Sequence, residues 1–144
     1  AVLARYLRER YARARMRQPR PEVVEAWRWI ARHRGTGTMT DLARHVLLSP
    51  RQLRTLFHQE VGLGPKAVSR LMRFEHARQR MVAAVRVGEH PNLAEVAHTC
   101  GYSDHPHLVA DFRQFVGASP TRWLAEERRF LQAGPVQPRE DLGL

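Results

Sequence analysis

Two groups of side chains have the types and spacing needed to contact a polyanion or the edges of nucleotide bases. In the first, Arg51, Arg54, Thr55 and His58 fall at i, i+3, i+4 and i+7, which is one stripe of an α-helix. A guanidinium can donate two hydrogen bonds to guanine O6 and N7, and a threonine can contact a thymine methyl group or a phosphate. Arg51, Arg54 and Thr55 are therefore candidates for reading bases, and His58 and Ser49, the predicted N-cap, are candidates for contacting a phosphate backbone.

The second group lies on the matching face of a later predicted helix and is chemically poorer. It comprises His105, Pro106, Val109, Ala110 and Arg113. His105 is the candidate for hydrogen bonding to a base. Pro106, Val109 and Ala110 are assigned to base reading by shape and by contact with methyl groups. Arg113 and Ser103 are assigned to the DNA backbone.

The stretch from Asn92 to Trp123 supplies the elements that would position the second group. Asn92 can cap a helix whose third residue, Glu95, returns a carboxylate. Gly101 can adopt the left-handed conformation that ends this helix, and Ser103 or Asp104 can begin the next. Leu108, Phe112 and Phe115 then recur at helical spacing and are expected on the buried face. Two short helices joined by a glycine turn are the helix-turn-helix pattern, whose second helix enters the major groove of DNA.

This stretch resembles the signature of the AraC/XylS family of bacterial transcription regulators. The residues that carry the resemblance are Ala94, Val96, Ala97, Cys100-Gly101-Tyr102-Ser103, His107-Leu108, Phe112-Arg113, Phe115, Gly117, Ser119-Pro120 and Trp123. The resemblance implies a second helix-turn-helix upstream, joined to this one by a long helix. It also implies that Arg51 and Arg54 stand at base-reading positions, and that Ala110 replaces a residue that is often polar in the family.

An upstream copy of the pattern is present. Thr38 and Asp41 form a capping-box-like start, Leu47-Leu48 makes the turn, and Ser49 begins a second helix. The two copies share the order Ser, Leu-x3-Phe, Val-Gly and Pro at an offset of about 55 residues. From Pro65 the pattern stays helical to about Val85, which predicts the connecting helix.

The predicted fold is therefore all-α, with about seven or eight helices and two helix-turn-helix subdomains joined by a long connecting helix. We expect a basic helix and linker at 1–20, the first helix-turn-helix subdomain at 21–64, the connecting helix at 65–87, the second subdomain at 88–131 and a flexible tail at 132–144. The chain begins without Met, so we expect it to be a fragment or processed form that lacks an upstream region.

Charge and composition narrow the class of partner. The net charge is +10 and the sequence pI is about 11.3, which favours nucleic acid or an anionic membrane surface. The sequence contains neither an apolar run of membrane-spanning length nor a signal peptide. The single cysteine, Cys100, excludes an internal disulfide and fits a reducing cytoplasm. We expect a cytoplasmic protein whose partner is double-stranded DNA.

Two other classes of protein compete with this interpretation. A nucleoid-like or membrane-surface basic protein would bind without sequence preference. A metalloenzyme would need more than the pair His105 and His107, which has no carboxylate at metal-ligand spacing, so we predict no catalytic site, metal or cofactor.

The resemblance further implies a transcription regulator, more often an activator, that contacts RNA polymerase. It also implies an upstream effector-binding or dimerising domain, so a homodimer could form through the N-terminal region or that domain.

Overall fold

The computed structural model describes residues 2–14 and 18–134, and in these ranges the chain forms eight α-helices and no strand. The helices are α1 (Val2–Ala14), α2 (Pro21–Arg32), α3 (Met39–His45), α4 (Pro50–Val61), α5 (Pro65–Arg86), α6 (Leu93–Thr99), α7 (His105–Val116) and α8 (Pro120–Ala133). The all-α prediction and the long connecting helix are confirmed. The chain divides within α5 into two compact units, residues 1–77 and residues 78–144.

The core of the first unit forms where the apolar faces of α2, α3, α4 and the start of α5 meet. Its fully buried side chains include Ile30, Leu42, Leu53, Phe57 and Val68. Of the two tryptophans of α2, Trp29 is buried, whereas Trp27 is half-buried and stacks on Phe57 with a centroid separation of 6.4 Å.

The core of the second unit is built from α6, α7 and α8. Leu108 and Phe112 of α7 are fully buried as predicted, whereas Phe115 is only half-buried. The ring of Phe112 packs against Trp123 of α8 at 5.5 Å between centroids. Cys100 is buried at the end of α6, in keeping with a packing role.

Helix boundaries agree with the capping residues in the sequence. Thr38, Ser49, Asn92 and Ser119 each accept a hydrogen bond from the backbone N–H three residues later. The basic N-terminal segment forms α1, and residues 15–17 of its predicted extent lie outside the described residues. Residues 132 and 133 of the expected flexible tail belong to α8, and residues 135–144 lie outside the described residues.

Candidate nucleic-acid interface

Helix α4 of the first unit is fixed at both ends and along its inner face. At its start, Ser49 Oγ accepts from the Gln52 N–H at 3.1 Å and Gln52 Oε1 accepts from the Ser49 N–H at 3.0 Å, which forms a complete capping box. Leu53 and Phe57 anchor the inner face in the core. A helix held in this way presents its outer side chains with little freedom of rotation about its axis.

The outer face of α4 carries the predicted stripe. Arg51, Arg54, Thr55 and His58 are all exposed, so the structure brings all four to the surface of one helix. Neither Arg51 nor Arg54 forms an ion pair or a hydrogen bond through its side chain within the described part of the chain. Among the described residues, neither guanidinium group has an acceptor that an external ligand would have to displace.

The structure narrows the chemistry that Thr55 can offer. Its hydroxyl donates to the backbone carbonyl of Arg51 at 3.0 Å, so the hydroxyl proton is already used. What remains for a ligand is the methyl group and the oxygen lone pairs. This favours contact with a thymine methyl group over donation to a phosphate.

A shallow groove of about 430 Å³ runs beside this stripe and includes two residues that the sequence pattern did not indicate. Arg20 and Glu22, from the start of α2, line the groove together with Arg51, Gln52 and Thr55. Residues 20 and 22 come from a segment about 30 residues upstream of α4, and no periodicity links the two. Only the packing of α2 against α4 could reveal that they share a surface.

Helix α7 of the second unit begins at His105, which matches Pro50, the first residue of α4, at the 55-residue offset. Ser103 was one of two candidates for its N-cap, but the cap is Asp104, whose Oδ1 accepts from the His107 N–H at 2.9 Å. Ser103 Oγ instead lies 3.3 Å from His107 Nδ1. The carboxylate of Asp104 occupies the helix N-terminus, where it opposes the approach of a phosphate.

The remaining predicted residues of α7 also reach the surface. His105, Pro106, Ala110 and Arg113 are exposed, and Val109 is half-buried. At the 55-residue offset, Pro106, Val109 and Ala110 stand where the first copy has Arg51, Arg54 and Thr55. The second face thus lacks the two guanidinium groups of the first.

A buried polar pair in the second unit was not foreseen from the sequence. Asp111 is fully buried, and its Oδ2 accepts from the Tyr102 hydroxyl at 3.0 Å. The corresponding position of the first copy holds an apolar residue, Leu56. The Tyr102–Asp111 hydrogen bond connects the middle of α7 to the turn that precedes this helix.

The turns of the two copies use the same backbone conformation with different residues. Gly101, the first residue after the C-cap of α6, has φ +83°, and Leu47, the first residue after the C-cap of α3, has φ +58° and is 89% exposed. A left-handed conformation costs an L-residue roughly 1–2 kcal/mol. The first copy carries this strain, and the second avoids it through glycine.

The net positive charge comes from the first unit. Residues 1–77 hold 16 of the 24 Lys and Arg residues and 6 of the 14 Asp and Glu residues, and residues 78–144 hold the remaining 8 of each. The entire net charge of +10 therefore belongs to the unit that contains α4, and the unit that contains α7 has a formal charge of zero. Attraction to phosphates arises mainly from the first unit.

The described residues offer neither a metal-ligand group nor a membrane-spanning helix. Residues 2–14 and 18–134 contain no group of three His, Cys, Asp or Glu side chains placed to hold a metal ion. In the same ranges, every helix is too short or too polar to cross a bilayer.

Comparison with known proteins agrees with the fold and with the pattern of the sequence. A family model described as a helix-turn-helix domain matches residues 42–126, which is more than half of the chain. Among curated proteins, the transcriptional regulator ArgR of Pseudomonas aeruginosa is 29% identical over 83 residues, which cover 58% of this chain and 24% of ArgR. The chain thus spans about a quarter of that relative's length.

Solved structures match over most of the chain. The DNA-binding domain of the global transcriptional factor AdpA, determined with a target DNA, has a TM-score of 0.68 at 23% identity, covering 78% of this chain and 97% of that domain. A Chromobacterium violaceum regulator with an AraC-type DNA-binding domain has a TM-score of 0.63 at 26% identity, covering 80% of this chain and 95% of its own. The chain belongs to the AraC-type helix-turn-helix family of transcription regulators, as the sequence resemblance implied.

Proposed function

We propose that this chain is the DNA-binding part of a transcription regulator and that α4 supplies most of its sequence discrimination. The observation that carries the proposal is the exposed stripe on α4, where two uncommitted guanidinium groups flank a threonine methyl group within the positively charged unit. Arg51 and Arg54 each donate to guanine O6 and N7, and each pair contributes about 1–3 kcal/mol of discrimination. Thr55 contacts a thymine methyl group, and Ser49 and His58 contact the DNA backbone.

The second helix-turn-helix recognises bases mainly through shape and methyl contacts in this proposal. His105 is its only hydrogen-bonding base reader, and Pro106, Val109 and Ala110 read shape and methyl groups. Arg113 and Ser103 contact phosphates. Because the carboxylate of Asp104 opposes phosphate at the start of α7, this half adds less affinity than the first.

The two recognition helices occupy successive major grooves in this proposal. Helix α5 has 22 residues, which corresponds to a length of about 33 Å. Successive major grooves on one side of B-DNA are roughly 34–36 Å apart. The length of the connecting helix is what supports this arrangement, and a protected footprint of about two helical turns would test it.

We further propose where this regulator acts and which proteins it contacts. The regulator acts in the cytoplasm, activates transcription by contacting RNA polymerase, and dimerises through its N-terminal region or an upstream domain. It acts without catalysis, metal or cofactor. What supports this is membership of a family of transcription regulators, together with the absence of a membrane-spanning helix from the described residues.

Selection of bound sites from a random duplex pool tests the proposal. We expect an enriched motif containing at least one guanine, together with a salt dependence that is steep on all sequences. A pool that shows no enrichment after repeated rounds would contradict the proposal.

Non-specific binding is the second candidate function, because a +10 charge by itself supports it. The pool experiment separates the two candidates. A non-specific protein would retain the salt dependence and lose the motif.

A further inference from the structure

The first unit contains a cavity that lies away from the exposed stripe of α4. It has a volume of about 300 Å³ and lies between α1, α2 and the last turn of α4. Leu7, Val24, Trp27 and Val61 contribute its apolar surface. The volume is at the lower end of the range for small-molecule pockets, which are also mostly apolar with a few polar groups.

Three charged residues line the cavity, and two of them already have partners within the protein. Glu60 accepts the Arg20 backbone N–H through both carboxylate oxygens, at 3.0 and 3.3 Å, and its Oε1 lies 3.7 Å from Arg20 Nε. Arg10 Nη1 donates to the Val61 carbonyl at 2.9 Å. The charge of Glu60 is therefore offset from outside the cavity, while Arg10 remains cationic.

Arg28, the third charged residue of the cavity, differs from Arg10 and Glu60 in its contacts. It is exposed, and its side chain makes no hydrogen bond or ion pair in the part of the chain that the structure describes. The cavity thus combines an apolar interior with an uncommitted guanidinium at its edge. Guanidinium groups pair with planar anions in bidentate fashion.

We propose that this cavity binds a small molecule with an apolar body and one carboxylate. The apolar body fills the space between Leu7, Val24 and Trp27, and the carboxylate pairs with Arg28. A cationic ligand is disfavoured because two guanidinium groups line the cavity and the single carboxylate, Glu60, is already satisfied. This binding site is independent of the proposed DNA contacts, and its test needs no DNA.

Calorimetric titration of the full chain with octanoate and with 3-phenylpropionate tests the proposal, using octanamide and 3-phenylpropionamide as uncharged controls. The variant Arg28→Gln removes the guanidinium from the cavity, and Arg8→Gln removes an exposed guanidinium from α1 that does not line it. Circular dichroism checks that each variant keeps its helical content. Both substituted positions are exposed, so folding is expected to persist.

The expected result is saturable binding of at least one acid with Kd below about 1 mM. The parent chain should bind the corresponding amide roughly tenfold or more weakly than the acid, and Arg28→Gln should bind the acid more weakly by a similar factor. Each change removes a charge-assisted hydrogen bond. Arg8→Gln should bind like the parent chain. Absence of saturable heat for both acids, equal binding of acid and amide, or unchanged binding by Arg28→Gln would each overturn the proposal.

Discussion

The hydroxyl of Tyr102 and the carboxylate of Asp111 are joined by a 3.0 Å hydrogen bond, with Asp111 fully buried and Tyr102 5% exposed. Tyr102 lies in the turn of the second helix-turn-helix and Asp111 lies in the middle of α7. A buried carboxylate is costly unless it is hydrogen-bonded. The bond therefore stabilises the angle at which α7 leaves the turn.

We expect Tyr102→Phe to lower the free energy of unfolding by about 1–3 kcal/mol, because it removes a donor from a buried acceptor. Urea denaturation followed by circular dichroism measures the change. Tyr6→Phe, at a position 40% exposed on α1, is the matched control and should have little effect. Equal stability of Tyr102→Phe and the parent chain would show that the hydrogen bond does not stabilise the fold.

Leu47 and Gly101 both have left-handed backbone conformations, so exchanging leucine and glycine should change the free energy of unfolding in opposite directions at the two positions. Leu47→Gly should raise the free energy of unfolding by up to about 1 kcal/mol, because the relief of strain exceeds the entropy that glycine adds to the unfolded chain. The Leu47 side chain is 89% exposed, so little burial is lost. Gly101→Leu should lower stability by about 1–2 kcal/mol. The two variants are compared by thermal and urea unfolding, and a destabilised Leu47→Gly would indicate that the leucine side chain stabilises the turn.

Gly35 is packed too closely for any side chain. A Cβ built at this position would lie 2.0 Å from the Ser69 carbonyl oxygen and 2.6 Å from the Arg73 backbone nitrogen, and φ is +74°. Gly35→Ala should therefore destabilise the protein by at least about 2 kcal/mol, since the backbone of α5 must move. Gly64→Ala, where a Cβ has open space, replaces the N-cap glycine of α5 with a poorer cap and should cost only about 0.5–1 kcal/mol. Similar unfolding midpoints for the two variants would refute the close approach.

Glu25 links stability to pH through two hydrogen bonds. His45 Nε2 donates at 2.9 Å and Arg32 Nη2 donates at 3.0 Å, and these bonds lower the pKa of the Glu25 carboxyl from its ordinary value, His45 having the larger effect. A lowered pKa in the folded state contributes stability that is complete above the unfolded pKa, about 4.3, and is lost as pH falls through the folded value.

Glu25→Gln should consequently be less stable than the parent chain at pH 6, with a difference that shrinks as the pH drops below about 4. Urea titrations at a series of pH values measure both proteins. Glu9→Gln on α1 serves as the control carboxylate substitution. A difference that grows with acidity would have the wrong sign for this mechanism.

Much of the fold follows from local patterns in the sequence. Ser49, Pro50 and Gln52 specify the start of α4 because a capping box uses only residues within one helical turn. The stripe from Arg51 to His58 could be placed on the surface because Leu53 and Phe57 alternate with it at helical spacing. The same reasoning located Asn92 and Gly101.

The features that sequence patterns did not predict depend on packing that the spacing of apolar residues does not specify. Arg20 and Glu22 line a groove beside α4 only because α2 packs against it. An aspartate at position 111 gives no local sign of burial, since its partner, Tyr102, lies nine residues earlier, in the turn before α7. The cap at Asp104 was one of two alternatives because a one-residue difference in turn length leaves the spacing of apolar residues nearly unchanged.

The central claim is that Arg51 and Arg54 read bases and that the second helix-turn-helix contributes less. It is tested by the ratio of affinities for a selected operator and a scrambled duplex at fixed salt. Arg51→Ala and Arg54→Ala should each lower this ratio by about fivefold to 150-fold, and His105→Ala should lower it less. Arg122→Ala, which removes an exposed guanidinium from α8, should leave it unchanged. Discrimination that survives both α4 substitutions but is abolished by His105→Ala would contradict the account.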